Sequence, residues 1–283
     1  MSENLYEIVD SMYNLPPMPV VATKVLEMLR SPDYTADSLA KLIACDPVLA
    51  GRLLGMANSA FYGVRREVKS LPRAVVILGE NALKSLVLAA SLKVLNQKPG
   101  PIQKRLWENS VGCAFGAQMV AQIFHSTAPE EAFLGGLFRH IGKMVMLDFD
   151  RPLYEHLVAM VDAGKASQDS LERELFHFPH AVIGAAVLEK WNFSKVIIQS
   201  TLNHDRLELP AEVYPAAYRL AATVNIASSL CKVLGIGCAK PDDTLQLSMV
   251  PGALALGVEY PQMKMLLEEL DATYSENAGF FFD

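Results

Sequence analysis

The sequence has few cysteines, no long apolar segment and no excess of positive charge. The four cysteines, Cys45, Cys113, Cys231 and Cys238, form no C-x-x-C pair, which argues against a disulfide framework and against a structural zinc site. No apolar run has membrane-spanning length, and the acidic N-terminus lacks the apolar stretch of a signal peptide. We therefore expect a cytoplasmic protein with reduced thiols and no membrane partner.

The charge balance and the missing motifs argue against several functional classes. A net charge of -6 and a pI near 5.6 argue against direct nucleic-acid binding, which requires a concentrated positive surface. The sequence has no G-x-S-x-G and no P-loop pattern, so it lacks the motifs of serine-elbow hydrolases and P-loop nucleotide binding. Gly235-Ile236-Gly237 follows no predicted strand and is interpreted as a helix stop rather than a dinucleotide fingerprint.

What the sequence does contain is helical periodicity. Apolar residues recur at helical spacing and almost never alternate as in strands, which predicts an all-α fold. Asp46-Pro47 is typical of a helix start, since Asp46 can cap and Pro47 suits the first helical position, and Gly79 and Gly235 are typical stops. The main predicted helices are 36–44, 106–124, 132–149, 179–191 and 215–234. A Pro-Gly-Pro stretch at 99–101 predicts a boundary between an N-terminal helical lobe, residues 1–96, and a helical bundle with a C-terminal extension, residues 97–283.

The predicted helix Ala132–Phe149 combines burial with positive charge. Its apolar residues surround the helix, which predicts a buried position, yet it carries Arg139, His140 and Lys143. Charged groups are rarely buried without partners. Either the helix lines a polar site, or Lys143 reaches solvent and Arg139 meets a carboxylate.

Four segments carry a resemblance to a known family. Leu15–Pro19, Asp46–Leu49, Ala57–Gly63 and Ser70–Gly79 resemble the HDOD domain, a bacterial signalling relative of the HD phosphohydrolases, and the match extends over about residues 11–205. The resemblance implies an all-α fold in which an N-terminal helical lobe packs on an HD-like helical bundle. It also implies that the divalent metal of an HD phosphohydrolase would be held by histidines and aspartates around a central His-Asp pair.

In this sequence the central pair is replaced by Arg139 and His140. Asn109 falls where the first family histidine is expected, and residues 225–228 cover the place of the final aspartate. A guanidinium cannot lose its proton and repels a metal ion. We therefore expect no metal, no cofactor and no catalysis.

The remaining histidines, His180 and His204, match the superfamily pattern. Without a carboxylate they make a poor metal site but a plausible part of an anion pocket. The residues predicted to line this degenerate HD site or anion pocket are Asn109, Arg139, His140, His180, His204 and Ser228.

These observations lead to two functional hypotheses. The first is a non-catalytic signal-transduction or regulatory protein that binds another signalling protein or a small anion such as phosphate or a nucleotide, with Phe61 and Tyr62 as candidate docking residues for the protein partner. The alternative is a metal-dependent phosphohydrolase of the HD superfamily with a degenerate, weakly active site. Neither the partner nor the oligomeric state follows from the sequence.

Overall fold

The protein is represented by a computed structural model that describes residues 3–29, 31, 33–58, 68–92 and 100–277. These residues form fifteen α-helices and one short 3-10 helix, Leu247–Met249, with no strand among them. The all-α prediction is therefore confirmed. The α-helices are α1 (Glu3–Tyr13), α2 (Val20–Leu29), α3 (Ala36–Ala44), α4 (Pro47–Ala57), α5 (Leu71–Leu92), α6 (Pro101–Phe124), α7 (Pro129–Phe138), α8 (Ile141–Phe149), α9 (Arg151–Asp162), α10 (Gln168–Phe176), α11 (His180–Lys190), α12 (Lys195–Asn203), α13 (Pro215–Leu234), α14 (Pro251–Leu256) and α15 (Tyr260–Asn277).

The chain divides into two compact units, and the smaller one contains residues 18–97 and 271–283. Within it, α2, α3 and α4 all pack against α5. The predicted start of α4 is confirmed, since the Asp46 carboxylate accepts a hydrogen bond from the backbone N–H of Leu49 at 3.0 Å. The predicted stop at Gly79 appears as a kink inside α5, because Gly79 has a φ of 72°, a conformation that favours glycine.

The larger unit contains residues 1–17 and 98–270. At its centre α6 packs against α7 and α13, while α11 packs against α8 and α12. Gly235 ends α13 with a φ of 72°, as predicted. No helix among the described residues combines the length and the apolar composition needed to cross a membrane.

Residues 1–17, which the sequence-based division placed with the N-terminal lobe, pack with this larger unit instead. Helix α1 contacts α8 and α11. Lys190 donates to the Asp10 carboxylate at 2.9 Å and to the Leu15 carbonyl at 2.8 Å, and the indole N–H of Trp191 donates to the Pro16 carbonyl at 2.9 Å. These bonds between distant parts of the chain explain the grouping, which helical periodicity could not indicate.

The prediction of one continuous helix over Ala132–Phe149 is wrong. Helix α7 ends at Phe138 and α8 begins at Ile141, because His140 has non-helical angles, φ -106° and ψ 15°. On either side of this break, a glycine brings the chain into close contact with the backbone of another helix. A Cβ on Gly136 would lie 2.4 Å from the carbonyl oxygen of Cys113 on α6, and one on Gly142 would lie 2.0 Å from the carbonyl oxygen of His180 on α11.

Candidate functional site

The candidate site is built around the guanidinium of Arg139, which lies at the break between α7 and α8. The residue is 1% exposed. Its Nη2 donates to the side-chain oxygen of Asn109 on α6 and, at 3.4 Å, to the hydroxyl of Ser228 on α13, while its Nη1 donates to Nδ1 of His140 at 3.1 Å. Because a guanidinium only donates, Nδ1 of His140 accepts and the proton of this imidazole lies on Nε2.

Both the oxygen and the nitrogen of the Asn109 side-chain amide are hydrogen-bonded, which fixes the position of the Arg139 guanidinium. The side-chain nitrogen of Asn109 donates to the carbonyl oxygen of Ile236 at 2.7 Å. The loop that presents this carbonyl approaches α6 closely, since a Cβ on Gly237 would lie 2.5 Å from the backbone nitrogen of Asn109. Gly237 has a φ of 65°, so both its backbone conformation and the lack of space favour glycine.

Three imidazoles meet next to this guanidinium. The ring centroids of His140 and His180 are 5.1 Å apart, those of His140 and His204 are 5.6 Å apart, and those of His180 and His204 are 5.4 Å apart. Each ring offers one nitrogen within 4.8 Å of the others, and all three residues are buried. They come from the α7–α8 break, the start of α11 and the end of α12.

Two of these rings are oriented through Nδ1. Nδ1 of His180 lies 2.7 Å from the carboxylate of Glu172, which also accepts from the backbone N–H of His180 at 2.8 Å and from the Gln168 amide at 2.7 Å. Nδ1 of His204 lies 2.7 Å from the carbonyl oxygen of Thr201. Since carboxylate and carbonyl oxygens only accept, both Nδ1 atoms carry protons.

The opposite nitrogens, Nε2 of His180 and Nε2 of His204, have no hydrogen-bond partner. Both face the carboxylate of Asp205, with Oδ2 at 3.6 Å from His180 and 3.5 Å from His204. These separations exceed ordinary hydrogen-bond lengths. Asp205 is partly open to solvent, with a side chain that is 45% exposed.

Burial and charge set the protonation of the cluster. Burial, and then the neighbouring guanidinium of Arg139, holds the pKa of His140 well below its usual value, and burial lowers the pKa of His204 to about 4. Burial alone would raise the pKa of Glu172, but attraction and hydrogen bonds from His180 outweigh it and lower the pKa to about 2. At neutral pH the imidazoles of His140 and His204 are thus uncharged, and the Glu172 carboxylate is negative.

Lys143, one turn into α8, is the titratable cation of the site. Burial, helped by the positive charges of Arg139 and Lys232, outweighs the attraction of Glu172 and Asp205 and lowers the pKa of Lys143 to about 8. The charge of Lys143 therefore changes in a pH range close to neutrality.

The polar cluster opens into a cleft with a volume of about 630 Å³. One wall is apolar and comes from α6 and α9, and the other comes from the end of α13 and the loop 237–244. The polar and charged residues that line the cleft are Arg105, Asn109, His140, Lys143, Asp162, Gln168, Lys232, Lys240, Asp242, Asp243 and Thr244. Arg105 and Asp162 neutralise each other through two bonds of 2.9 and 3.1 Å. The other cations that line the cleft are Lys143, Lys232 and Lys240, and the carboxylates of Asp242 and Asp243 line it as well.

The structure brings all six predicted pocket residues into one connected cluster, but only two of them reach the cleft. Asn109 and His140 line it, whereas the other four do not: Arg139, His180, His204 and Ser228. The candidate docking residues Phe61 and Tyr62 lie outside the described residues.

Sequence reasoning missed two carboxylates, Glu172 and Asp205. Asp205 directly follows His204, and Glu172 precedes His180 by eight positions on the preceding helix. The adjacency of Asp205 was a signal in the sequence, whereas the contact of Glu172 depends on the turn between α10 and α11.

The residues do not fit the metal centre of an HD phosphohydrolase. Asn109, Arg139, His140 and Ser228, which the family resemblance predicts to lie at or near the metal-ligand positions, are bonded to one another through the guanidinium. A permanent cation lies among these side chains, and the two amide and hydroxyl oxygens are neutral acceptors that suit a donor rather than a metal ion.

Comparison with known proteins agrees with this architecture. The HDOD domain profile matches residues 15–207. A crystal structure of an HDOD domain protein with unknown function from Geobacter sulfurreducens is 25% identical, with a TM-score of 0.78 over 98% of this chain and 96% of that chain. The structure of a provisionally named phosphohydrolase from Shewanella amazonensis SB2B is 26% identical, with a TM-score of 0.74 over 99% of this chain and 97% of that chain.

A curated relative extends beyond the region shared with this chain. An uncharacterized protein of Treponema pallidum (strain Nichols) is 22% identical over 220 residues, which are 77% of this chain and 43% of that protein. This chain therefore spans less than half the length of that relative.

Proposed function

The chain belongs to the HDOD domain family, and from this premise we propose that it is a non-catalytic regulatory protein whose cleft binds a small anion such as phosphate or a nucleotide. The observation that carries the proposal is the hydrogen bonding of Arg139 to Asn109, His140 and Ser228. By the family resemblance, this cation lies where an HD phosphohydrolase would hold its metal, and it is covalently part of the chain. Such a centre can favour an anion nearby but cannot activate water as a Lewis acid.

The cleft supports an anionic ligand through the donors that line it. Lys143 and Lys232 supply ammonium groups, and the imidazole N–H of His140 adds a donor. Charge-assisted hydrogen bonds from such donors are the usual means of holding phosphate. The volume of about 630 Å³ lies within the range of about 300–1,000 Å³ that is typical of small-molecule sites, and the apolar wall suits a base or another organic group.

We infer that ligand binding is passed on to another signalling protein. The anion cleft is formed by residues that the structure describes, whereas the candidate docking residues Phe61 and Tyr62 lie outside the described residues. A partner that responds to ligand would bind the loaded and the free protein with different affinities, since an effector acts only through such a difference.

The test is calorimetry on the full chain in the presence of EDTA, with inorganic phosphate, mononucleotides and cyclic dinucleotides as separate titrants. We expect at least one of them to bind, and Lys143→Met combined with Lys232→Met to weaken that binding at least about 10-fold, the loss of about 1.4 kcal/mol that one charge-assisted contact typically contributes. Lys195→Met on α12 is the matched control, because Lys195 is exposed and does not line the cleft. No heat with any titrant, together with an unchanged melting temperature, would refute the anion site.

The alternative, a weak metal-dependent phosphohydrolase, is favoured by the three histidines and the carboxylate of Asp205. Purified protein supplied with Mn²⁺ and a panel of phosphoesters separates the two hypotheses. Turnover that is lost in Asp205→Asn would replace the non-catalytic assignment. Absence of turnover supports it.

A further inference from the structure

Lys143 is the one buried lysine among the residues that the structure describes. It is 8% exposed and lines the cleft of about 630 Å³. Within the described part of the chain its ammonium forms no hydrogen bond and no ion pair. Buried polar groups in native proteins almost always have partners, so an unpaired amine at the wall of a cleft calls for a ligand that supplies one.

The surroundings of this amine favour its neutral form. Burial, helped by Arg139 and Lys232, lowers the pKa of Lys143 from an ordinary value of 10.5 to about 8, against the attraction of Glu172 and Asp205. At pH 7 about one tenth of the amine is therefore neutral, compared with about 3 parts in 10,000 for a lysine of ordinary pKa. Neutral, desolvated lysines beside other cations are the ones that act as nucleophiles and form Schiff bases.

The cleft also supplies the other groups that a carbonyl ligand with a phosphate needs. His140 lies one turn before Lys143, where its backbone carbonyl accepts from the Lys143 N–H at 3.0 Å, and its imidazole N–H is a donor for a carbonyl oxygen. Lys232, on the wall formed by the end of α13, is a cation for the phosphate. Tyr154 and Leu157 of α9 give an apolar surface for the carbon skeleton. The nucleophile, the oxygen donor and the phosphate cation thus line one cavity.

We propose that Lys143 forms an imine with an aldehyde that carries a phosphate group, which rests on the anion cleft proposed above and specifies the class of its ligand. The lone pair of the neutral amine attacks the carbonyl carbon, and one proton passes from the nitrogen to the oxygen to give a carbinolamine. The hydroxyl then leaves with the second nitrogen proton as water, and a carbon–nitrogen double bond remains. No oxidant or reductant is needed, and water reverses the reaction, as suits a protein that responds to the level of a ligand.

The test uses the full chain in a buffer that contains EDTA and no phosphate or amine. Glyceraldehyde 3-phosphate is the probe, sodium borohydride reduces any imine to a stable secondary amine, and mass spectrometry of peptides locates the adduct. We expect at least about 10-fold more adduct on Lys143 than on the exposed Lys195, because far more of the buried amine is neutral. Glyceraldehyde without phosphate should give at least about 10-fold less adduct on Lys143, the usual effect of losing one charge-assisted contact.

Two further readouts separate the nucleophile from the charge. Lys143→Arg, checked for native near-UV circular dichroism, keeps the positive charge, so it should lose the adduct and keep sulfate affinity within about 3-fold. The matched control Lys195→Arg should keep both. In the unmodified chain, the rate of adduct formation at Lys143 should rise about 10-fold between pH 7 and 9, whereas a lysine of ordinary pKa gains about 100-fold over the same range.

Equal amounts of adduct on Lys143 and Lys195 in the unmodified chain would overturn the imine. Equal amounts of Lys143 adduct from glyceraldehyde with and without phosphate would overturn the phosphate-bearing class of ligand. Calorimetry with sulfate shows which proposal has failed. A cleft that binds no anion gives no heat with sulfate, whereas a cleft that binds anions but forms no imine binds sulfate and leaves Lys143 unmodified.

Discussion

Gly142 lies where α8 crosses α11, and the absence of a side chain there lets the two backbones touch. A Cβ at this position would lie 2.0 Å from the carbonyl oxygen of His180 and 2.8 Å from the amide nitrogen of Gly184, whereas ordinary contacts of a Cβ begin near 3.4 Å. In Gly142→Ala the two helices must therefore separate by roughly 1.4 Å at this contact, since neither opposing atom can rotate away as a side chain would. His140 and Lys143 would move relative to His180.

The expected cost follows from two opposing effects. Overpacking a well-packed core typically costs about 1–3 kcal/mol, and backbone atoms on the opposing side place this case near the upper value. Alanine favours the helix over glycine by about 1 kcal/mol. We therefore expect Gly142→Ala to lower the free energy of unfolding by about 2 kcal/mol, which corresponds to a fall in melting temperature of about 4–8 °C for a chain of this size.

Urea unfolding followed by circular dichroism measures this change, and Gly51→Ala is its control. Gly51 lies inside α4, and a Cβ there would meet nothing within 4 Å, so the same substitution should raise stability by about 0.5–1 kcal/mol. Gly142→Ala should also weaken anion binding in the cleft. If Gly142→Ala unfolds at the same urea concentration as the unmodified chain, the close backbone contact does not position α8 on α11, and the reasoning is refuted.

Three further predictions follow from the larger unit. Binding of sulfate, whose charge is constant in this range, should weaken as the pH rises through about 8, because Lys143 is charged below its lowered pKa and neutral above it. Calorimetry at pH 7 and 9 measures this change in affinity. If Lys143→Met loses sulfate affinity between pH 7 and 9 to the same extent, Lys143 is not the titrating group. Glu172→Gln should lower the free energy of unfolding by about 2–3 kcal/mol, because an amide cannot accept from all three donors that surround this carboxylate. The control is Glu174→Gln, on the exposed face of the same helix. Equal urea midpoints for the two variants would count against this reasoning. Tyr13→Phe should cost about 1 kcal/mol by removing the bond from the hydroxyl to a backbone carbonyl of α10, and an unchanged unfolding midpoint would show that this bond does not help hold residues 1–17 on the unit.

Much of the architecture could be predicted from the sequence because the relevant signals are local. Helical periodicity needs only neighbouring turns, and it identified the all-α class. The cap at Asp46 and the stop at Gly235 involve hydrogen bonds to residues within one turn. That Arg139 and His140 stand where the His-Asp pair would be is a prediction from the family resemblance and from residue identity alone.

The candidate site depended on information that is not local. The helix that periodicity predicts as continuous is interrupted at His140, and the side chain of the preceding Arg139 bonds Asn109 and Ser228, thirty and eighty-nine positions away. Glu172 became part of the site only when its contact with His180 was seen.

The sequence by itself determined the helical class and the family, since short-range hydrogen bonds and motif residues depend on neighbouring positions in the chain. Only the tertiary structure decided that His140, His180 and His204 meet, and that Asp205 faces two of them. The physical reason is that these positions are brought together by helix crossings such as the contact of Gly142 with α11. The geometry of such a crossing depends on the packing of both helices at once.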